Sequence, residues 1–277
     1  MSGGSAANTI VGVANLGARA AYVGKVKDDQ IGRLYIHDIR AAGVAFETSA
    51  ASGRSRHRLL LHPGDAGRRA HHEHLSRRGA GPDAGRYRRR RRSRPPASSI
   101  SKAICGIPQS AKEAFVKAAT IAHGAGRQVA LTLSDSFCVD RYRDEFLDLM
   151  RKGTVDLVFA NEAELHSLYQ TARFRQRAEA VARRHQARRR HPQREGLRGG
   201  LKGRRRRGAG IPDRQLVDTT GAGDLFAAGF LFGLVRNAGY ENAGRLGALA
   251  AAEVIQHIGA RPQVSLKELA QQNGLPV

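Results

Sequence analysis

The segment Asp218–Phe230 reads DTTGAGDLFAAGF, and it lies between a predicted strand, Gln215–Val217, and an apolar helix that runs through Val235. Glycines in such a turn let backbone N–H groups approach a phosphate closely, and the helix N-terminus adds a dipole that favours an anion. A carboxylate at the start of the helix, here Asp224, can accept the proton of a substrate hydroxyl. The segment therefore predicts a phosphate-binding loop with a general base beside it.

Two common nucleotide-binding patterns are absent from this segment. It contains neither the G-K-[ST] of a Walker A loop nor the G-x-G-x-x-G of a dinucleotide site. The structural alternative is an ordinary helix start in which Asp224 acts as a cap. A lone G-A-G-D would favour that alternative, whereas the whole run favours a functional site.

Apolar periodicity divides most of the chain into alternating helices and strands. Apolar residues at helical spacing predict helices, and short apolar runs bounded by turn residues predict strands. The predicted helices are Ser5–Leu16, Asp29–Ala42, Ala111–Ala125, Asp140–Met150, Glu162–Tyr169, the helix through Val235 and Ala243–Ile258; the predicted strands are Ala20–Val23, Val44–Thr48, Val129–Leu133, Val155–Ala160 and Gln215–Val217. The alternation predicts an α/β domain with a mostly parallel sheet.

The formal net charge of +23 comes from two windows of the sequence. Residues 52–108 hold 15 Lys and Arg against 3 Asp and Glu, and residues 173–214 hold 16 against 3. The other 178 residues hold 16 against 18, so they are ordinary and slightly acidic. Neither window has a helical or strand period, which is typical of a disordered basic linker.

The genetic code offers a second interpretation of the two windows. Suitable synonymous codons for residues 71–77, read one base later, give Thr-Met-Asn-Thr-Tyr-Leu, and codons for residues 101–108, read two bases later, give Glu-Gly-Tyr-Leu-Trp-Asp. Codons for residues 191–200, read one base later, give Thr-Arg-Ser-Glu-Lys-Gly-Cys-Val. All three are sensible protein text, so we interpret both windows as out-of-frame translation with irregular structure.

The same windows contain two patterns that point to other functions. His71, His72, Glu73 and His74 look like a metal-binding cluster, but the out-of-frame interpretation explains them without a metal. Arginine runs at 88–92 and 204–207 look like nucleic-acid contacts, but no interleaved aromatic residues accompany them. A basic nucleic-acid-binding protein is the competing class of function, and a non-functional product is a third.

The run Asp218–Phe230 resembles the C-terminal signature of the ribokinase-like, or PfkB, family of carbohydrate and nucleoside kinases. The resemblance implies that Asp224 is the catalytic base. It also implies that Gly221, Ala222 and Gly223 form an anion hole for the transferring phosphoryl group, with Thr219 beside the ATP phosphates.

The N-terminal stretch GGSAANT at 3–9, with Val23–Gly32, resembles the second signature of this family. The resemblance implies that Gly3, Gly4 and Asn8 contact hydroxyls of the substrate. Glycines would admit a ligand to the helix N-terminus, and asparagine offers both a donor and an acceptor. The alternative is a glycine turn followed by a polar first helical turn.

Asn161 and Glu164 directly follow a predicted buried strand. The resemblance assigns them to an N-x-x-E element that organises Mg²⁺ and phosphate through water. A hard cation prefers oxygen ligands and keeps several of its waters. The alternative is a helix cap with a surface glutamate.

The resemblance covers residues 3–50, 111–170 and 215–265, and it implies a single kinase domain over residues 1–277 with a three-layer, Rossmann-like ribokinase fold and a small β lid. The family normally has a further strand before the paired glycines, often with a substrate-binding aspartate, and this sequence lacks it. Much of the lid falls in the window 52–108. We therefore expect a compromised lid and weak activity from the chain.

The implied activity is transfer of the ATP γ-phosphate, with Mg²⁺, to a hydroxymethyl group of a nucleoside or sugar. The recovered segments T-M-N-T-Y-L and E-G-Y-L-W-D resemble the adenosine-kinase-like branch, so an adenosine-like acceptor is expected; ribose, fructose and related sugars stay open. The N-terminus lacks a signal-peptide pattern and the longest apolar stretch is too short to span a bilayer, so we expect a cytoplasmic protein with no membrane partner. We expect no nucleic-acid partner, and a homodimer stays open.

The out-of-frame interpretation predicts what the gene contains. Across the codons of residues 52–108 and 173–214, a shifted frame should be free of early stop codons and should encode text similar to the kinase family. Reading the gene in three frames checks this. Early stop codons in both shifted frames of each window would contradict the interpretation.

Overall fold

The computed structural model describes residues 3–50, 98–102, 109–170 and 216–277, with the backbone alone for residues 98–102. Within these ranges the helices are α1 Ser5–Asn15, α2 Gln30–Ala41, α3 Gln109–Gly124, α4 Ser136–Arg141, α5 Arg143–Arg151, α6 Glu162–Tyr169, α7 Ala222–Val235, α8 Gly239–Val254 and α9 Leu266–Gln272. The strands are β1 Ala20–Tyr22, β2 Val44–Phe46, β3 Ser98–Lys102, β4 Gln128–Thr132 and β5 Leu157–Phe159.

Every strand pair among the described residues is parallel. Strands β1 and β2 pair from Ala20 opposite Val44, with α2 between them in sequence. Strands β3, β4 and β5 form a second group in that order, with helices in each connection. The parallel α/β arrangement predicted from the sequence is therefore confirmed, since parallel neighbours require such crossovers.

Helices cover both faces of β4, which produces the three layers of the fold. Successive side chains of a strand point to opposite faces. Val129 and Leu131 belong to a buried cluster with side chains of α3, α4, α5 and α6. Ala130, between them, packs with Ala227 and Leu231 of α7. Helix α7 therefore lies against the sheet on the face opposite α3–α6.

Helices α7 and α8 pack so closely that a glycine is required between them. A Cβ atom added to Gly229 would lie 2.7 Å from the backbone nitrogen of Gly247 on α8. The contact is backbone against backbone, so no side-chain rotation could relieve it. Helix α7 is therefore fixed between the sheet and α8, and this packing sets the position of its N-terminus.

Three predictions of local structure were wrong. Leu216 and Val217 do not form a strand; the Val217 amide donates instead to the carbonyl of Ile255 at 2.9 Å, in the turn after α8. Helix Asp140–Met150 is two helices, because Tyr142 leaves helical geometry and the Asp135 carboxylate caps an earlier start. Helix α9 was not predicted.

Residues 98–102 also differ from the prediction, because they form β3 inside a window expected to be irregular. Residues 95–101 carry no charge, so the charge count set the window too wide at this end. The rest of both windows lies outside the described residues, and so does most of the expected lid. Among the described helices, none is long and apolar enough to cross a membrane.

Two glycine-to-alanine substitutions should have opposite effects on stability. Gly229→Ala should lower the free energy of unfolding by about 1–3 kcal/mol, because the new methyl group overpacks the α7–α8 contact. Gly244→Ala, on α8 where an added Cβ meets nothing within 4 Å, should raise it by about 0.5–1 kcal/mol through reduced backbone entropy of the unfolded chain. Denaturant unfolding of both variants checks this, and equal effects would contradict the packing described.

Candidate active site

Asp224 lies in the first turn of α7, directly after a glycine turn. The residue before the helix, Gly221, has a φ of +84°, a conformation that residues with side chains rarely adopt. A Cβ at this position would also lie 2.7 Å from the Cβ of Ala260. Glycine is therefore required at position 221 for two independent reasons, and the turn aims the first residues of α7 at a fixed place.

The carboxylate of Asp224 joins the N-termini of two helices. The hydroxyl of Ser5 donates to its Oδ1. The side-chain amide of Asn8 donates to its Oδ2 at 2.9 Å. Ser5 and Asn8 are three residues apart on α1, so they lie on one face of that helix. The carboxylate of Asp224 thus binds two residues that lie more than 200 positions away in the sequence.

A close approach of α1 to α7 makes these hydrogen bonds geometrically accessible. Gly12 continues the face of α1 that carries Ser5 and Asn8. A Cβ added to Gly12 would lie 2.7 Å from the Cβ of Ala228 and 2.8 Å from Cδ1 of Leu225, both on α7. Any larger residue at position 12 would push the two helices apart and lengthen the contacts to Asp224.

The two helix N-termini form a place that favours an anion. Each is preceded by a glycine at positive φ, Gly4 at +112° and Gly221 at +84°, and glycine has no side-chain oxygen with which to cap the first amides. The first amides of a helix have no partner within the helix, and the helix dipole adds positive potential there. A phosphate oxygen can accept hydrogen bonds from such amides.

Open space adjoins these amides in the described part of the chain. An added Cβ at Gly3, Gly4 or Gly223 would meet no atom within 4 Å. The glycines of both sequence motifs therefore border space that a ligand could enter, whereas Gly12 and Gly221 are glycines because of close packing. The assignment of Gly3, Gly4 and Gly223 to ligand contacts stays a prediction.

Asn8 has an unused acceptor. Its residue is only 5% exposed, and its Oδ1 has no hydrogen-bond partner among the described residues. A buried polar atom without a partner costs about 1–3 kcal/mol, so the Oδ1 atom is a candidate acceptor for a ligand or a bound water. Because Nδ2 already binds Asp224, the free oxygen is suited to accept a hydrogen bond from a substrate hydroxyl.

The carboxylate of Asp218 holds the glycine turn through two hydrogen bonds. Its Oδ1 accepts from the Thr220 amide at 2.9 Å, and its Oδ2 accepts from the Gly259 amide at 3.1 Å. The Ala222 amide donates to the carbonyl of Thr219 at 3.2 Å. The carboxylate of Asp218 thus connects the start of the turn to the segment that follows α8, the same segment that contacts Gly221.

Asn161 and Glu164 form a reciprocal cap at the start of α6. The Glu164 amide donates to Asn161 Oδ1 at 2.9 Å, and the two carboxylate oxygens of Glu164 accept from the backbone and side chain of Asn161 at 3.1 and 2.8 Å. The helix-cap alternative is therefore correct as geometry, but the glutamate is not on the surface, since it is 6% exposed.

The Asn161–Glu164 pair fits a water-mediated role toward Mg²⁺. The carboxylate of Glu164 is oriented by its bonds from the backbone and the side chain of Asn161, and the pair lies just after β5, the strand whose Leu157 and Phe159 pack with α7. Glu164 is 6% exposed, whereas Asn161 is exposed. Across residues 3–50, 109–170 and 216–277, no group of three or more His, Cys, Asp or Glu side chains could hold a metal ion.

The sequence-predicted residues fall into three places. Asn8 and Asp224 are in direct contact, with Gly4 and Gly221 at the adjoining helix starts; Asn161 and Glu164 are at the start of α6; and the cluster His71–His74 lies outside the described residues, as do the arginine runs 88–92 and 204–207. Sequence reasoning missed Ser5, Gly12 and the role of Asp218. The spacing of Ser5, Asn8 and Gly12 on one helix face was the available signal.

Comparison with known proteins assigns the family. The sequence pattern of the pfkB family of carbohydrate kinases matches residues 1–77 and 96–267. The chain belongs to the PfkB family of carbohydrate kinases. The resemblance of its two signatures is therefore confirmed, and so are the kinase class and the ribokinase-type α/β fold.

Individual relatives are also kinases. The structure is similar to that of adenosine kinase from Sinorhizobium meliloti, with a TM-score of 0.74 and 38% identity over 99% of this chain and 83% of that one. A 5-dehydro-2-deoxygluconokinase from Shouchella clausii is 28% identical over 96% of this chain and 84% of its own length. An uncharacterized sugar kinase from Archaeoglobus fulgidus is 53% identical over 47 residues, which are 17% of this chain and 19% of that protein.

Removal of the Asp218 carboxylate should loosen the glycine turn. Asp218→Ala leaves the Thr220 and Gly259 amides without this acceptor, so we expect the free energy of unfolding to fall by about 1–3 kcal/mol. The matched control is Asp148→Ala, which removes an exposed carboxylate paired with Lys152 four residues away and should change stability by less than about 0.5 kcal/mol. Denaturant unfolding measures both; a smaller loss for Asp218→Ala than for the control would contradict this role.

Proposed function

We propose that this kinase transfers the γ-phosphate of ATP to a hydroxymethyl group of a nucleoside or sugar, with Asp224 as the general base. One observation carries the proposal. The carboxylate of Asp224 stands at the start of α7, beside the glycine turn, and it already accepts hydrogen bonds from a hydroxyl and an amide of α1. A carboxylate in such a position can accept the proton of an alcohol as it attacks phosphorus.

The proposed reaction is a single displacement at the γ-phosphorus of ATP. The hydroxymethyl oxygen forms a bond to the γ-phosphorus while its proton passes to Asp224, and the bond from phosphorus to the bridging oxygen breaks, releasing ADP. The amides of Gly221 and Gly223 would donate to the phosphoryl oxygens, on which negative charge accumulates, and so would the amide of Ala222 once it releases the carbonyl of Thr219. Thr219 would lie beside the phosphates. Fixed donors of this kind stabilise a transition state because they need no reorganisation.

Substrate hydroxyls would be held by the start of α1. Gly3 and Gly4 border open space, and Asn8 offers its unpaired Oδ1 as an acceptor for a ring hydroxyl. Because Nδ2 of the same side chain binds Asp224, the acceptor would be oriented relative to the base by a single residue. A ligand bound this way would present its hydroxymethyl group to Asp224.

Mg²⁺ would neutralise part of the charge of the ATP phosphates. Asn161 and Glu164 would orient its bound waters, because their own hydrogen bonds hold the Glu164 carboxylate in one position.

An adenosine-like nucleoside is the acceptor we favour. The recovered segments of the window 52–108 resemble the adenosine-kinase-like branch, and the structural relative from Sinorhizobium meliloti, at 38% identity, is named an adenosine kinase. Sugars are the second candidate, since the relative from Shouchella clausii is named as a kinase of 5-dehydro-2-deoxygluconate. Phosphorylation of adenosine, ribose and fructose by the 277-residue chain, assayed side by side, separates the two.

Asp224→Asn should separate nucleotide binding from catalysis. The variant keeps the side-chain shape but cannot accept the proton, so we expect transfer to fall by about 10²–10⁴-fold while ATP binding is retained. The experiment measures turnover of the best acceptor together with ATP binding by calorimetry. Near-normal turnover in Asp224→Asn would remove Asp224 from the role of base.

A further inference from the structure

Two hydrogen-bond donors hold Asp224, and they differ in how easily they can leave. Asn8 is 5% exposed and donates to Oδ2 from a fixed position on the packed face of α1. Ser5 is only partly buried, is the first residue of α1 and donates to Oδ1. Its neighbour Gly4 borders open space. Rotation of Ser5 about χ1 moves its hydroxyl between staggered positions at small cost, whereas Asn8 has no comparable freedom.

Ser5 presents to the carboxylate the same chemical group that an acceptor substrate would bring. An alcohol substrate must place its own hydroxyl within hydrogen-bond distance of Asp224 before transfer. The Oδ1 atom that would receive it is already bonded to the Ser5 hydroxyl, and Oδ2 is bonded to Asn8. A substrate hydroxyl that takes the position of the Ser5 hydroxyl on Oδ1 displaces Ser5, and Asn8 keeps the carboxylate oriented during the exchange.

We propose that Ser5 is a positioning residue that occupies Oδ1 of Asp224 until the acceptor alcohol displaces it, and thereby limits hydrolysis of ATP when no acceptor is bound. The inference rests on the proposed role of Asp224 as the base. The competing reaction is attack by water. A water oxygen forms a bond to the γ-phosphorus, its proton passes to Asp224, and the bond to the bridging oxygen breaks, releasing ADP and inorganic phosphate.

Removal of the Ser5 hydroxyl should make this competing reaction faster. In Ser5→Ala, Oδ1 loses its donor, and a carboxylate oxygen at this site would be satisfied instead by water. That water would stand where the acceptor hydroxyl normally stands, next to the phosphate site. The Ser5 hydroxyl excludes this water while it is bonded to Oδ1, because Ser5 is held in place as the first residue of α1.

The test compares ATP hydrolysis without acceptor to phosphorylation of the best acceptor among adenosine, ribose and fructose. In Ser5→Ala the ratio of hydrolysis to transfer should rise about tenfold, the change expected from loss of one hydrogen bond to a charged group. The KM for the acceptor should fall, since no hydroxyl must be displaced. A merely structural role would raise KM and leave the ratio unchanged.

Three further variants make the result specific. Ser5→Thr keeps the hydroxyl and should keep the ratio of the parent chain. Ser265→Ala removes a serine beside the opposite end of α1, where the Leu266 amide donates to Asn15 Oδ1, and should also keep it. Asp224→Asn combined with Ser5→Ala should abolish the added hydrolysis. If Ser5→Ala fails to fold, Ser5→Cys, which keeps the shape with a weak donor, carries the same comparison.

The outcomes separate this inference from the proposed function. If the parent chain phosphorylates an acceptor but Ser5→Ala hydrolyses ATP no faster relative to transfer, the inference on Ser5 is overturned and the role of Asp224 stands. Added hydrolysis that survives Asp224→Asn also overturns it. If no variant, the parent included, transfers phosphate or hydrolyses ATP, the proposed function fails and the inference fails with it.

Discussion

The contact between α1 and α7 at Gly12 is the constraint on which the site depends. Only a residue without a Cβ lets α1 lie against Ala228 and Leu225 of α7, and only at that separation can the short side chains of Ser5 and Asn8 reach Asp224. Helix α7 is in turn held between the sheet and α8 by the close packing at Gly229. The position of one carboxylate is therefore determined by the close packing at Gly12 and Gly229.

The same arrangement accounts for the electrostatics of the site. Both helices begin after glycines at positive φ, so the preceding residue has no side chain that could cap their first amides. Their dipoles stabilise negative charge there, which suits both the carboxylate and an incoming phosphate. Asp218 and the turn after α8 hold the glycine turn in place, and a turn that is fixed before a ligand binds would favour the proposed phosphoryl transfer.

Most of the described fold could be predicted from the sequence, because its helices and strands have clear apolar periods. Glu162–Tyr169 was predicted with the observed bounds, and α1, α2 and β1 differ by one or two residues. The prediction of a strand at Gln215–Val217 was wrong. Two apolar residues beside a turn have the same sequence pattern in a strand and in an irregular segment, and here the Val217 amide donates to the carbonyl of Ile255. Periodicity also missed Tyr142, where a change of backbone geometry ends α4 without glycine or proline.

The site could be predicted only in part. Asp224 and Asn8 are recognisable because their motifs are local, and Gly221 is recognisable as a turn glycine. Ser5 and Gly12 were missed because their importance comes from α7, which lies more than 200 residues away and packs against α1 only in the folded chain. Asp218 was quoted with its motif, but its role depends on the Gly259 amide in a different segment. The spacing of Ser5, Asn8 and Gly12 marks one face of α1, but a single sequence does not indicate that α7 packs against that face.

The most direct test of the account is a crystal structure of the 277-residue chain with a non-hydrolysable ATP analogue and the acceptor that it phosphorylates. The account predicts the terminal phosphate on the amides of residues 221–223, the acceptor hydroxyl about 2.6–3.2 Å from Oδ1 of Asp224, and Ser5 turned away from that oxygen. A terminal phosphate bound away from the start of α7, or an acceptor whose hydroxyl lies out of reach of Asp224, would contradict it.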